Sequence, residues 1–331
     1  MALEQVQIGV ESPAAHGTAV AADTRLLATL KYVLDRVPTI PQDDIGKKVN
    51  GYRAVMTSGK LVNNTLVFDR AYFQALPLLF SMLLKGGVTP AEQTTGQDDY
   101  LWEFTPDLVN SNALDSATIE FGDSVQAFEQ EYMTGERMKI SITIPQDGSD
   151  AVAKIEYDYF ARQNTKTNFT TAIALPVVNE INGLLTQLYI NDSWATVGTT
   201  EKTGILRGVD IEITNGAYPE FNGNSLVFNK VGEGKIAILV TLTLVNGSEA
   251  IALHDAIGTM KVVNIHCSGP AIGSGENHAL DIAFSGVVME PLPGANKEKE
   301  TSLTTVAFEG IYDPTGDKML EVNVITNVAS I

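Results

Sequence analysis

Few residues in this chain are typed and spaced for catalysis. Glu129 and Glu131, flanked by Phe128 and Tyr132, come nearest to the paired carboxylates that hydrolyse glycosides. Two positions apart on one strand they share a face at about 7 Å, yet no motif ties a second acidic group to them. His266 and Cys267 are adjacent, so on a strand they point to opposite faces and cannot hold one metal ion together. His254-Asp255 falls on a predicted helix, and His278 with Asp281 forms at most a pair across a turn. Asp43-Asp44 and Asp98-Asp99 lie in polar loops without the spacing of an EF-hand and read as solvated turns. Gly232-Glu233-Gly234-Lys235 resembles half a phosphate loop, but a strand follows where a helix is required. The sequence has no GxSxG, no Walker loop, no dinucleotide fingerprint and no HExxH. The expectation is a protein that is not an enzyme, with no catalytic, metal-binding or cofactor-binding residue.

Composition narrows the classes further. The 331 residues carry 22 Lys and Arg against 40 Asp and Glu, a net charge of −18. Such a balance repels nucleic acid instead of gripping it; it suits a surface that nucleic acid passes without sticking, or acids that serve solubility. Hydrophobic residues make up 44%, enough for a sizeable core. The longest apolar run is too short to cross a bilayer, so no membrane partner is expected. The start, MALEQVQIGVES, shows no basic segment followed by an apolar one, so no secretory signal is expected. The single cysteine, Cys267, excludes an internal disulfide framework and reads as a small buried hydrophobe.

The elements that must position any surface are mainly strands. Period-two alternation marks Met138–Ile144, Ala153–Tyr159, Val209–Ile213, Ile236–Leu244 and Leu320–Val324. Gln146-Asp147-Gly148-Ser149 and Asp313-Pro314-Thr315-Gly316-Asp317 are hairpin connectors. Helices are expected over 69–84, with Pro77 kinking or splitting the first, and over 247–260, where Ser248 is a plausible cap.

The elements recur in order. Ala117-Thr-Ile-Glu-Phe121 matches Leu280-Asp-Ile-Ala-Phe284 at an offset of 163. Gly17-Thr18 matches Gly198-Thr199, Lys60 matches Lys235, and the helix with Leu76 matches that with Leu253. This points to a duplicated unit, with a first domain over 1–170 and a second over 171–331. A period of that length is too long for a solenoid and suits two tandem sheet-based domains. The segment 86–99 has no counterpart and no assigned role.

Each half also carries a long connection within its first hairpin, near 37–59 and 215–234. Connections beyond about 12–15 residues usually have a job. These contain Ile40, Val49, Tyr52 and Met56 in the first, and Tyr218, Phe221, Leu226 and Phe228 in the second. Such apolar loops are expected to bury those side chains against another subunit, or else to fold back over their own domain.

Taken in order, PAAHGTAVAADTRL (13–26), SATIEFGDSVQAFEQEYMTGERMKISITIPQDG (116–148), INDSWATVGTTEKTGILRGVDIEITNGAYPEFNG (190–223) and YDPTGDKMLEVNVITNVASI (312–331) resemble the bacteriophage tail tube proteins, also called major tail proteins. The resemblance implies a β-sandwich or partly closed barrel with a flanking helix, an N-terminal arm and a long hairpin loop, here present twice. It implies subunits that close into a ring and stack into a tube in the virion tail, after synthesis in the host cytoplasm. With a duplicated unit the expected ring is a trimer of pseudo-sixfold symmetry. Expected partners are further copies of the chain, the tape-measure, tail-terminator and distal tail proteins, and DNA passing through the bore without specific binding. Strand alternation places Glu120, Glu156, Asp158, Asp210 and Glu212 opposite the core, as candidates to line that bore. The alternatives are a baseplate or distal-tail ring component, or a receptor- or sugar-binding β-sandwich using Trp102 and Trp194 as stacking platforms.

Overall fold

A computed structural model describes residues 4–36, 48, 59–289, 292–298 and 301–331, with backbone alone at His254 and over 292–298. The first half holds β1 (Gln5–Val10), β2 (Thr24–Leu26), β3 (Val62–Phe68), α1 (Leu76–Leu83), β4 (Ala91–Glu92), β5 (Tyr100–Phe104), β6 (Ala117–Gly122), β7 (Ala127–Thr143), β8 (Lys154–Ala161) and β9 (Asn164–Thr167). The second holds β10 (Thr186–Asn191), β11 (Leu206–Thr214), β12 (Tyr218–Glu220), β13 (Lys230–Gly232), β14 (Ala237–Val245), α2 (Ser248–Asp255), β15 (Met260–Ala271), β16 (Asn277–Val288), β17 (Leu292–Glu298), β18 (Thr301–Gly310) and β19 (Leu320–Thr326). The molecule is mainly β, built on one large antiparallel sheet. The described strands form no closed barrel. The order β3-β8-β7-β11-β14-β18 ends on separate edges.

Alternation decides which face is core. In β14, Ile238, Val240, Leu242 and Leu244 are buried while Leu239 stands 46% exposed between them. Burying such a stripe contributes roughly 1.5–3 kcal/mol per large aliphatic side chain, and a one-residue slip would turn every one of them outward.

One set of pairings occurs twice. In the first half β1 pairs β6, β6 pairs β7, and β7 pairs both β9 and β8, with β8 then pairing β3. In the second half β10 pairs β15, β15 pairs β16, and β16 pairs both β19 and β18, with β18 then pairing β14. The strand containing Ala117–Phe121 is therefore the counterpart of β15, and the one containing Leu280–Phe284 the counterpart of β7. The 163-residue match thus set side by side strands that hold different places in the pairing scheme. It arose because any strand buried on one face shows the same alternation.

The sheet crosses from one half to the other at two places, β7 to β11 and β5 to β19. A single buried cluster joins Leu79, Ile140 and Tyr157 to Ile211, Val240 and Phe308. The segment 86–99 now has a place: it leads into β5, which adds to β19. Its turn is tied to the β15–β16 tip by Asp99, whose carboxylate accepts from the backbone of Thr94 (2.8 Å) and Glu276 (2.9 Å).

Both helices are shorter than their patterns. A 3-10 turn over Phe73–Ala75 gives way to α1 at Leu76, so the helical stretch is split just before Pro77, which lies in the first α turn where its missing N–H costs nothing. Every α1 residue is buried; Tyr157 Oη donates to Leu79 O at 3.1 Å, and Gly87, at φ +64°, lies just past the end. α2 stops at Asp255, and the apolar pattern that continued to Met260 belongs to a turn and the start of β15.

Candidate functional site

The outward face of β8, β7 and β11 brings together four of the five acids singled out in the sequence. Across it Lys139 lies opposite both Glu156 and Glu212, while Arg137 lies opposite Asp158, and Asp210 opposite Ser141. The Arg137 guanidinium donates to Asp158 (2.7 Å) and Glu212 (3.1 Å). It thereby bridges the junction between the halves, and these carboxylates, Asp158 foremost, raise its pKa. Asp158 also accepts from Thr65 Oγ1 at 2.6 Å, and Asp210 from Ser141 Oγ at 2.6 Å. The face is therefore a lattice of acids interleaved with cations.

Glu120 is not part of it. It is 3% exposed on β6, a different region of sheet, where its carboxylate accepts from the Thr170 backbone (2.7 Å) and hydroxyl (2.6 Å). Alternation placed it opposite Ile119, but the chain after β9 returns to cover that face.

The second long connection divides into two roles. Phe228 is fully buried in a small cluster with Tyr132, Phe160 and Ala217, so it caps its own chain. Arg162 fixes it there: Nε donates to Phe228 O (2.7 Å), Nη1 donates to Gly17 O (2.6 Å), and the guanidinium lies 4.8 Å from the Tyr132 ring centroid. Tyr218, Phe221 and Leu226 stay 50%, 45% and 51% exposed. These are the half-exposed apolar side chains of the connection, Tyr218 beside Gly232 and Phe221 with the Leu226 backbone beside Gly59. Ile40, Val49, Tyr52 and Met56 lie outside the described residues, as do Asp43 and Asp44.

The four-residue Gly-Glu-Gly-Lys stretch is the neck of this loop. A side chain at Gly234 would strike Gly216 O, and one at Gly232 the Tyr218 ring; its glycines serve close packing and not phosphate. Glu233 accepts from Ser111 Oγ (2.5 Å) and Asn112 N (2.8 Å).

The remaining reactive types are structural. Burial pushes the Cys267 thiol up to about 12. His266 bonds Asp281 at 2.9 Å, a bond that raises the histidine pKa, so Asp281 pairs with His266 and not with His278. His278 sits beside Phe73 and Asn179, and burial lowers its pKa. Glu129 lies cross-strand from Glu120, and burial raises the pKa of both Glu129 and Glu131. Trp102 is 1% exposed with its indole N–H donated to Val328 O at 2.9 Å, which removes it as a stacking platform. Trp194 is half-buried between Gly316 and Lys318. Among the described residues no group of three or more His, Cys, Asp or Glu is placed to hold a metal ion, and no helix is long and apolar enough to cross a membrane.

One organising feature escaped the sequence reading. Glu11-Ser-x-Ala-x-x-Gly-Thr18 recurs as Asp192-Ser-x-Ala-x-x-Gly-Thr199, 181 positions later. Both stretches fold into the same turn, with Gly17 at φ +74° and Gly198 at φ +75°. Ala15 N bonds Ser12 O and Thr18 N bonds Ala15 O; Thr196 N bonds Ser193 O and Thr199 N bonds Thr196 O. In the first copy Glu11 is buried and accepts from Gly17 N (2.5 Å), Ser116 Oγ (2.7 Å), Thr118 Oγ1 (3.0 Å) and Tyr132 N (2.8 Å). In the second, Asp192 is exposed and pairs with Lys261 (2.6 Å). The signal was available: comparing every residue around the two Gly-Thr pairs would have found it.

No protein-family model matches the sequence, and no curated protein matches it significantly.

Proposed function

We propose that this chain is a structural subunit of a phage tail tube: a duplicated module whose copies assemble edge to edge into rings that stack into a conduit for DNA. The observation that carries the reading is the repeat. Two runs of strands share one order, one set of pairings and one glycine turn, and they are already joined side by side through β7 and β11. A module that pairs laterally with its own duplicate has edges suited to pairing with further copies, and lateral pairing relieves the hazard of exposed edges. In this reading the domains are 1–170 and 171–331, three chains close one ring, and the chain acts without catalysis. The charged outer face of β8, β7 and β11 lines the bore, and the half-exposed side chains of Tyr218, Phe221 and Leu226 meet the next ring. The other tail proteins and passing DNA are the remaining partners, in the virion tail.

Negative-stain electron microscopy of the purified chain tests the reading. Annular or tubular particles with threefold or pseudo-sixfold end views are expected. A chain that stays monomeric across salt and concentration overturns it.

A further inference from the structure

The repeat leaves one of its strand junctions unmade within the chain. β11 is paired on both edges, to β14 and to β7. Its counterpart is the extended segment 29–35, which runs along β3 in the same antiparallel sense. Thr29 and Val67 exchange both backbone hydrogen bonds (2.9 and 3.1 Å), and Leu61 N donates to Asp35 O (2.8 Å). Matching the β3–β8 and β14–β18 registers sets Leu30, Tyr32 and Leu34 in the places of Val209, Ile211 and Ile213.

The two sets differ in cover. Val209, Ile211 and Ile213 are buried, at 0–1% exposure. Tyr32 is 50% and Leu34 67% exposed. The backbone groups of Ala28, Leu30, Tyr32 and Leu34 make no hydrogen bond among the described residues, which leave this edge unpaired.

What covers β11 is the C-terminal half of β7. The counterpart of that half is the end of β16 continued by β17, which pairs β18 as β7 pairs β8. Among the described residues β17 pairs along one edge only. Segment 29–35 and β17 lie at opposite ends of the order β3-β8-β7-β11-β14-β18. Six strands and so seven spacings separate them, roughly 34 Å along the sheet at ordinary strand spacing, and the described strands do not close on themselves.

We infer that segment 29–35 of one copy pairs antiparallel with β17 of a second copy, repeating between chains the junction that β11 and β7 make within one. The inference rests on the reading of the chain as a self-assembling subunit and adds which edges meet and in what register. The internal junction pairs Asp210 with Ser141, and the same register sets Lys31 opposite Asn296. Pro293 lacks a backbone donor, so the ladder forms on the Asn296–Glu298 side.

The test places Lys31→Cys and Asn296→Cys together in a Cys267→Ser background, followed by oxidation. A ladder of covalent dimers and trimers is expected from the double variant and covalent dimers alone from mixed single variants, with neither single variant giving either product by itself. Separately, Leu34→Asp, at a side chain 67% exposed, is expected to leave the melting temperature unchanged while weakening self-association by at least about tenfold, the factor that 1.4 kcal/mol brings, read by sedimentation velocity. Assembled particles that fail to crosslink at this pair overturn the joint and leave the tube reading standing. Crosslinked ladders without annular particles overturn the tube reading and leave the joint. A chain that never associates overturns both.

Discussion

Replacing Phe228 should act on the fold alone, and replacing its loop neighbours on both fold and assembly. Phe228 is fully buried, with ring centroids 5.0 Å from Tyr132 and 5.6 Å from Phe160. Phe→Ala in a core costs about 3–5 kcal/mol. The cluster is small and peripheral, so partial collapse puts the expected loss near the lower bound, about 3 kcal/mol. At about 2 °C per kcal/mol for a chain of this size, Phe228→Ala should lower the melting temperature by roughly 6 °C. Phe221 and Leu226 are about half exposed, and Phe221 packs edge-on to Phe228 at 6.2 Å between ring centroids, so each has about 1 kcal/mol to lose in the isolated subunit. Burying their remaining surface at a ring contact is worth about 1 kcal/mol each. A Phe221→Ser, Leu226→Ser double variant should therefore melt about 4 °C below the parent and in addition raise the concentration needed for assembly roughly thirtyfold. Differential scanning calorimetry and sedimentation velocity measure the two quantities. The reasoning fails if Phe228→Ala melts like the parent, or if the double variant assembles at the parental concentration.

Three further outcomes follow from the side-chain environments. Glu11→Ala strands four buried donors and should cost about 3 kcal/mol by urea denaturation, whereas Asp192→Ala, at the same place in the repeat but exposed, should leave the urea midpoint unmoved. His266 has its pKa raised by Asp281, so its stabilisation is complete below the unfolded value of about 6.5 and is lost as pH rises through the folded one. The melting temperature of His266→Asn should accordingly lie below the parent's near pH 6 and converge on it near pH 8; a constant difference would refute the pairing. Cys267, buried with its pKa near 12, should resist iodoacetamide in the folded chain at pH 8 and react fully in urea, as mass spectrometry would show.

The strands were legible because a sheet with one buried face writes its alternation into the sequence, and Met138–Ile144 and Ile236–Leu244 declare themselves that way. The same property hid which strand matches which: the stripe of β6 fits β16 as well as it fits its true counterpart, β15. Pairing is a long-range fact, and only the glycine turns at Gly17 and Gly198, with their required positive φ, carry position in the sequence itself. Burial by remote segments was illegible for the same reason. Glu120 and Trp102 have exposed-looking contexts, and what covers them, Thr170 and the chain around Val328, lies 50 and 226 residues away. The long connection is apolar in sequence, but alternation cannot tell Phe228, fully buried under Arg162, from Phe221, which packs on its edge and stays half-exposed.

The charge of the outer face bears on how a polyanion would pass it. Across β8, β7, β11 and β18 this face carries Lys154, Arg137 and Lys139 against Glu156, Asp158, Asp210, Glu212 and Glu309, a net charge of −2, so most of the −18 lies elsewhere. A strong acidic field is therefore not what would keep DNA from adhering. The cations are held instead: Arg137 between Asp158 and Glu212, and Lys139 at 4.0 Å from Asp210. An engaged guanidinium offers phosphate little, because binding would first break charge-assisted bonds. Neutralising its partners should release it. Asp158→Asn with Glu212→Gln moves the face from −2 to zero and frees Arg137, and at low salt the variant should bind a short duplex that the parent does not, measured by fluorescence anisotropy. The binding should vanish as salt rises, because phosphate contacts exchange with counterions and the screening length falls to about 8 Å at physiological ionic strength. Equal, negligible binding by both proteins would mean that ion pairing on this face does not govern its contact with nucleic acid.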